Sequence, residues 1–140
     1  MKKGKVFFLL LILSFFVLIL TKSGLAQVYS FSLDKEIVNL YWNEDGTLSI
    51  DYIFQFSNDI SASPIDYVDV GVPNQYYDIN MIIADVNGKK ITDIKESPYV
   101  KPGIAIGLGN YAIQPSDSGQ VHVYIGRVSK VLYPDSMDNN

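Results

Sequence analysis

The strongest constraint on this chain is a strict two-residue alternation between Thr47 and Phe56. Leu48, Ile50, Tyr52, Phe54 and Phe56 fall on one side of an extended backbone. Thr47, Ser49, Asp51 and Gln55 fall on the other, where Ile53 is the one apolar residue. Successive side chains of a strand point to opposite faces, so the segment reads as a half-buried strand that needs a second layer against its apolar side. A helix would scatter the same residues around its circumference and bury none of them together.

The same period runs through the rest of the chain. Ile37 to Trp42 is a second β-rich run, separated from the first by Asn43-Glu44-Asp45-Gly46. The Asp-Gly pair suits a tight connection, and a hairpin is expected. Tyr77 to Val86 is a third run, ending in Asn87-Gly88, a pair suited to a type I′ turn because both central positions need positive φ. Lys89 to Ile94 then returns as its partner, anchored by Ile91 and Ile94, with lysines that suit an edge strand. Tyr67 to Val72 closes at Pro73, and Ser57 to Pro64 reads as a loop. In Ile104 to Ile113, Ile104, Ile106 and Leu108 oppose Ala105, Gly107 and Gly109, so one face is large and the other bare. Such a face admits a close neighbour or marks a bulge. After a turn over Gln114 to Gly119, Gln120 to Val128 directs Val121, Val123 and Ile125 one way, and His122, Tyr124 and Gly126 the other. About six or seven short strands, with no amphipathic helix after residue 26, predict an all-β antiparallel β-sandwich.

The N-terminal end belongs to another physical class. Lys2, Lys3 and Lys5 precede an apolar run, Val6 to Leu20, interrupted only by Ser14, and small residues follow at Gly24 and Ala26. This is the three-part pattern of an export signal, with cleavage expected after Ala26. Fifteen helical residues reach roughly 22 Å against about 30 Å of hydrocarbon, a poor match for a span. An uncleaved anchor is the alternative, and residues 6–20 would then be the chain's only membrane contact. The domain reading is therefore a signal-peptide helix at 1–26 followed by a β-sandwich over 27–140. The polar end after Tyr133-Pro134 is either a frayed tail or the first loop of an interrupted domain.

Removing residues 1–26 leaves seven basic residues against fifteen acidic ones, a net charge of −8. That balance disfavours nucleic acid and anionic lipid headgroups. The chain has no cysteine, which excludes disulfides, thiolate metal sites and thiol nucleophiles. The exported part must therefore be held by packing, and its tyrosines, Trp42 and the phenylalanines are expected to supply much of the area.

No cofactor, metal or catalytic pattern stands out. His122 is the only histidine; as a general base it would need an orienting carboxylate and a nucleophile, and it reads as a partly exposed strand residue. Asp66, Asp69, Glu44 and Asp45 sit at turns and strand ends, where carboxylates make local hydrogen bonds. Asp85-x-Asn87-Gly88 resembles part of a calcium loop, but Lys89 and Lys90 follow and a β-turn is the better account. The Gly-x-Gly at Gly107 has no helix after it to bind phosphate. The candidate binding surface is aromatic: Tyr76, Tyr99 and Tyr111, with Trp42 and Tyr77 as further candidates for contact with a glycan or a protein.

The stretch Trp42 to Tyr52, the run Gly103 to Gly109, and the segments Val121 to Val128 and Leu132 to Asp135 resemble a bacterial family of predicted membrane proteins of unknown function. The resemblance implies an extracytoplasmic β-domain at the cell envelope, secreted or membrane-anchored. It brings no catalytic residues, and members carry later transmembrane helices that have no counterpart here. The expected role is a non-enzymatic binding or structural module with a protein or glycan partner. The alternative is an enzyme or accessory domain acting on envelope polysaccharide.

Overall fold

The computed structural model describes residues 28–133. The expected signal peptide and the residues after Tyr133 lie outside them. The described residues fold into eight strands in two antiparallel sheets, a sandwich-like all-β arrangement. The strands are β1 (Phe31–Trp42), β2 (Leu48–Asn58), β3 (Tyr67–Gly71), β4 (Ile82–Val86), β5 (Lys89–Ile91), β6 (Asp93–Glu96), β7 (Gly103–Gly107) and β8 (Ser118–Val128). The large sheet has the order β1-β2-β8-β4-β5, the small one β3-β7-β6. Among the described residues no helix is long and apolar enough to cross a membrane.

Both expected tight turns are present. The β1–β2 hairpin closes through Gly46 at φ +78°, and Asp45 accepts hydrogen bonds from the backbone and hydroxyl of Thr47. Asn87 and Gly88 both have positive φ between β4 and β5, as a type I′ turn requires. Asp85, read from sequence as part of this turn, accepts the Gly88 amide at 2.9 Å.

Several boundaries differ from the sequence reading. The first strand begins at Phe31 rather than Ile37, because a bulge between Leu33 and Lys35 hides the alternation of its first half. The strand expected from Tyr77 starts only at Ile82: Asp78 caps a short 3-10 turn, Ile79–Met81, by accepting the Asn80 amide. Lys89 to Ile94 is not one strand. It breaks at Thr92, so that β5 stays in the large sheet and β6 pairs with β7 in the small one. β7 ends at Gly107, and Gly109–Tyr111 forms a second 3-10 turn.

The core is aliphatic rather than aromatic. Ile50, Ile104, Ile106, Leu108, Ile125 and Val128 are almost fully enclosed between the sheets. Of the aromatics expected to fill this space only Phe54 and Phe56 are buried, and Trp42 is 60% exposed. A bulge where β8 passes Leu48 and Ile50 lets both Ile125 and Val128 face inward although they are three residues apart. The bare face of β7 is covered by the chain itself. A Cβ on Gly103 would lie 2.8 Å from the Val100 carbonyl oxygen and 2.9 Å from that of Val70, so only glycine fits.

The two layers are unequal in width. The inward residues of β2, β8 and β4 are buried apart from the half-buried Tyr52, whereas those of β1 are not. Among the described residues this leaves one side of the sandwich open along β1.

Candidate functional site

Two groupings of side chains emerge that the chain order does not show. The first lies on the outer face of the large sheet. β2, β8 and β4 are adjacent, and their register sets Ile53 beside His122 and His122 beside Asp85, with Asp51 two residues from Ile53 on the same face. His122 reaches both carboxylates: Nε2 is 2.6 Å from Asp51 Oδ1 and Nδ1 is 2.8 Å from Asp85 Oδ2. Asn39 of β1 donates to the other Asp51 oxygen. Partial burial opposes the imidazolium, but the hydrogen bonds and charges of Asp85 and Asp51 outweigh it, and the His122 pKa is raised above its ordinary value.

A neutral imidazole has one donor and one acceptor, so only the protonated ring satisfies two carboxylates at once. Both nitrogens are thereby engaged, and neither is free to take a proton from a substrate. The carboxylates sought for a histidine base are present, yet they enclose the ring from both sides. The arrangement ties three strands together. Among the described residues there is no group of three or more metal-ligating side chains suited to a metal ion.

The second grouping is an apolar groove of about 370 Å³ on the open side of the sandwich. Phe54 and Phe56 form its floor, Tyr29, Phe31 and Leu33 one wall, and Tyr67, Val68 and Asp69 the other. Its aromatic rings are in contact: Phe31 meets Phe56 edge-on at 5.6 Å, and Tyr29 meets Tyr67 edge-on at 5.8 Å. From the groove an uncovered apolar row continues along β1 through Val38, Leu40 and Trp42, each between 44% and 60% exposed. A contiguous exposed apolar surface on a small domain marks a contact site more often than a solvated face.

Charge around this groove is acidic. Asp66 accepts the Tyr29 hydroxyl at 2.8 Å; burial and then this contact hold the Tyr29 phenol well above its ordinary pKa. Glu36 faces Tyr52, whose phenol is also raised, by burial first and then by the Glu36 charge. Asp69 keeps one carboxylate oxygen, Oδ1, buried without a hydrogen-bond partner among the described residues.

The tyrosines singled out from the sequence are distributed between places. Tyr99 stacks on Tyr67, a residue of the groove's wall, at 6.5 Å. Tyr76 lies 42% exposed under the Lys130 ammonium, 3.8 Å above its ring; a hydrogen bond with Gln75 and then Lys130 lower its phenol pKa. Tyr76 also lines a separate, open cleft of about 830 Å³ together with Tyr77, Asp78, Glu96 and Lys101. Tyr111 is exposed on the turn after β7. Among the described residues no ring contact joins Tyr76, Tyr99 and Tyr111 to one another. The signal that could have found the groove was the spacing of Phe31, Leu33, Val38, Leu40 and Trp42, interrupted by Asp34-Lys35-Glu36.

Comparison of the chain with family models, with curated proteins and with solved structures finds no match.

Proposed function

We propose that this chain is a non-enzymatic binding module of the bacterial cell envelope and that it engages its partner on the open side of the sandwich. The observation that carries the reading is the uncovered apolar surface of β1 and the groove beside it, floored by core residues Phe54 and Phe56. Leaving such area in water costs about 25 cal/mol per Å², so a partner that covers it gains that amount. The extracytoplasmic location rests on the basic, apolar and small-residue segments of residues 1–26 and on the resemblance to envelope proteins. The engaged state of His122 supports a scaffold role for the one residue best suited to general base catalysis.

The test is photo-crosslinking in living cells, with a crosslinking side chain at Leu33 in the groove or at Lys90 on the opposite edge. The proposal expects a discrete adduct from position 33 that disappears when Leu40→Asp is added, and none from position 90. Equal adducts from both positions, or none from 33, would count against it. The polysaccharide reading has one observation in its favour, the cleft lined by Asp78, Glu96 and two tyrosines. Release of soluble sugar from envelope polysaccharide, lost in Glu96→Gln, would establish it instead.

A further inference from the structure

We infer that the open side accepts an extended segment of a partner protein as an added strand on β3, apolar at alternate positions and carrying a basic side chain opposite Asp69. This rests on the reading of the groove as the binding surface and goes on to state what fills it.

The first argument is the backbone. In an antiparallel pair, alternate residues direct their N–H and C=O groups to one neighbour and the intervening residues direct theirs to the other. Leu108 donates to the Asp66 carbonyl and Val72 to that of Pro102, so even-numbered residues of this stretch face β7. Tyr67, Asp69 and Gly71 therefore face the open side, where among the described residues β3 has no neighbouring strand. The Gly71 carbonyl already accepts the Tyr52 hydroxyl at 3.2 Å, which places the open edge of β3 beside β2. A helix laid in the groove has no spare backbone groups for Tyr67 and Asp69, whereas a strand satisfies them and supplies the small sheet with the layer missing over β1.

The second argument is the pattern of faces. Val68 and Val70 point inward and Tyr67 and Asp69 outward. A strand paired with β3 has the same alternation, so its inward side chains rest on Leu33, Phe54 and Phe56 while the one opposite Asp69 lies on the outer face. Asp69 Oδ1 is buried and unpaired, and a buried carboxylate oxygen is costly without a donor. A lysine or arginine at that cross-strand position supplies one.

The third argument selects the partner. Asp69 lines the groove, Asp66 is bonded to the hydroxyl of its Tyr29 wall and Glu36 acts on nearby Tyr52, so the charge around it is acidic, while Lys35 is turned away, paired with Gln55 on the outer face of the large sheet. A second copy would bring the same acidic charge to its own likeness. The bulge at Leu33/Lys35 and the charged run Asp34-Lys35-Glu36 also discourage edge-to-edge pairing of β1 with itself. Charge therefore favours a basic segment of a different protein.

The probe is a synthetic peptide of about eight residues, within ordinary strand length. It alternates valine and threonine around one central lysine and is added to the purified full chain. Binding is followed by NMR, with amide exchange at Tyr67 and Asp69 as the readout. The inference expects saturable binding below about 1 mM and slowed exchange at both amides. It also expects binding weakened about tenfold by replacing the lysine with glutamate or by Asp69→Asn, the loss of one charge-assisted hydrogen bond. A central proline in the peptide abolishes binding. Absence of binding at 1 mM, equal affinity of the lysine and glutamate peptides, or slowed exchange confined to β5 overturns it. Concentration-dependent dimerisation that protects Tyr67 and Asp69 without peptide overturns it in favour of a second copy. If the peptide fails while crosslinking from position 33 persists, the groove binds a partner by some other contact; if both fail, the binding reading itself is wrong.

Discussion

Replacing His122 by leucine tests the charged bridge across β2, β8 and β4. The substitution leaves Asp51 and Asp85, both largely enclosed on the outer face, without the cation between them. A hydrogen bond to a charged group contributes about 1.5–3 kcal/mol, and two are lost. The His122 side chain is 32% exposed, so water replaces part of each, and the expected net cost is about 2–3 kcal/mol. At about 4–8 °C per kcal/mol, Tm falls by roughly 10 °C or more. The cost depends on pH. The folded His122 pKa is raised above an unfolded value of about 6.5, so its contribution is fully present below that pH and is lost as pH rises through the folded pKa. Urea unfolding of the wild type should therefore show stability falling with pH from about 6.5 upward, and His122→Leu should lack that slope. Because the chain has a single histidine, its ring protons report the titration directly by NMR. A His122 pKa at or below about 6.5, or parallel pH profiles for the two proteins, would refute the bridge.

Three further substitutions test the packing. Gly103→Ala places a methyl 2.8 Å from a backbone oxygen and is expected to cost at least about 2 kcal/mol, whereas Gly126→Ala, whose nearest neighbour is 3.5 Å away, should stay within about 1 kcal/mol in chemical denaturation. Ile125→Ala removes a side chain with no exposed surface between the sheets, and a loss of about 2–5 kcal/mol is expected in the same assay.

What the sequence made legible was local. The alternation of Leu48 to Phe56 depends on neighbouring residues alone, and so do the φ requirements of Gly46, Asn87 and Gly88; all appear in the fold. The break between β5 and β6 runs against the reading of Lys89 to Ile94 as one strand, although Ile91 and Ile94 are three apart and cannot share a face of one strand. Asp51, His122 and Asp85 come together only through the register of three strands, and no local pattern carries register. The groove escaped for a different reason. Aromatic side chains supply the largest area for burial, which places them in the core on sequence grounds, but two sheets of isoleucine and valine close without most of them. Phe31, Leu33, Leu40 and Trp42 were left on an edge that the small sheet is too narrow to cover.

The most direct test of the open side needs no partner. Amide hydrogen exchange of the free full chain should find Val68 and Val70 protected by their bonds to β7. Tyr67 and Asp69 should exchange at least about a hundredfold faster, at rates close to those of an unstructured chain. Equal protection at all four positions would mean that the edge of β3 is already covered, and would contradict the account of this surface as the binding site.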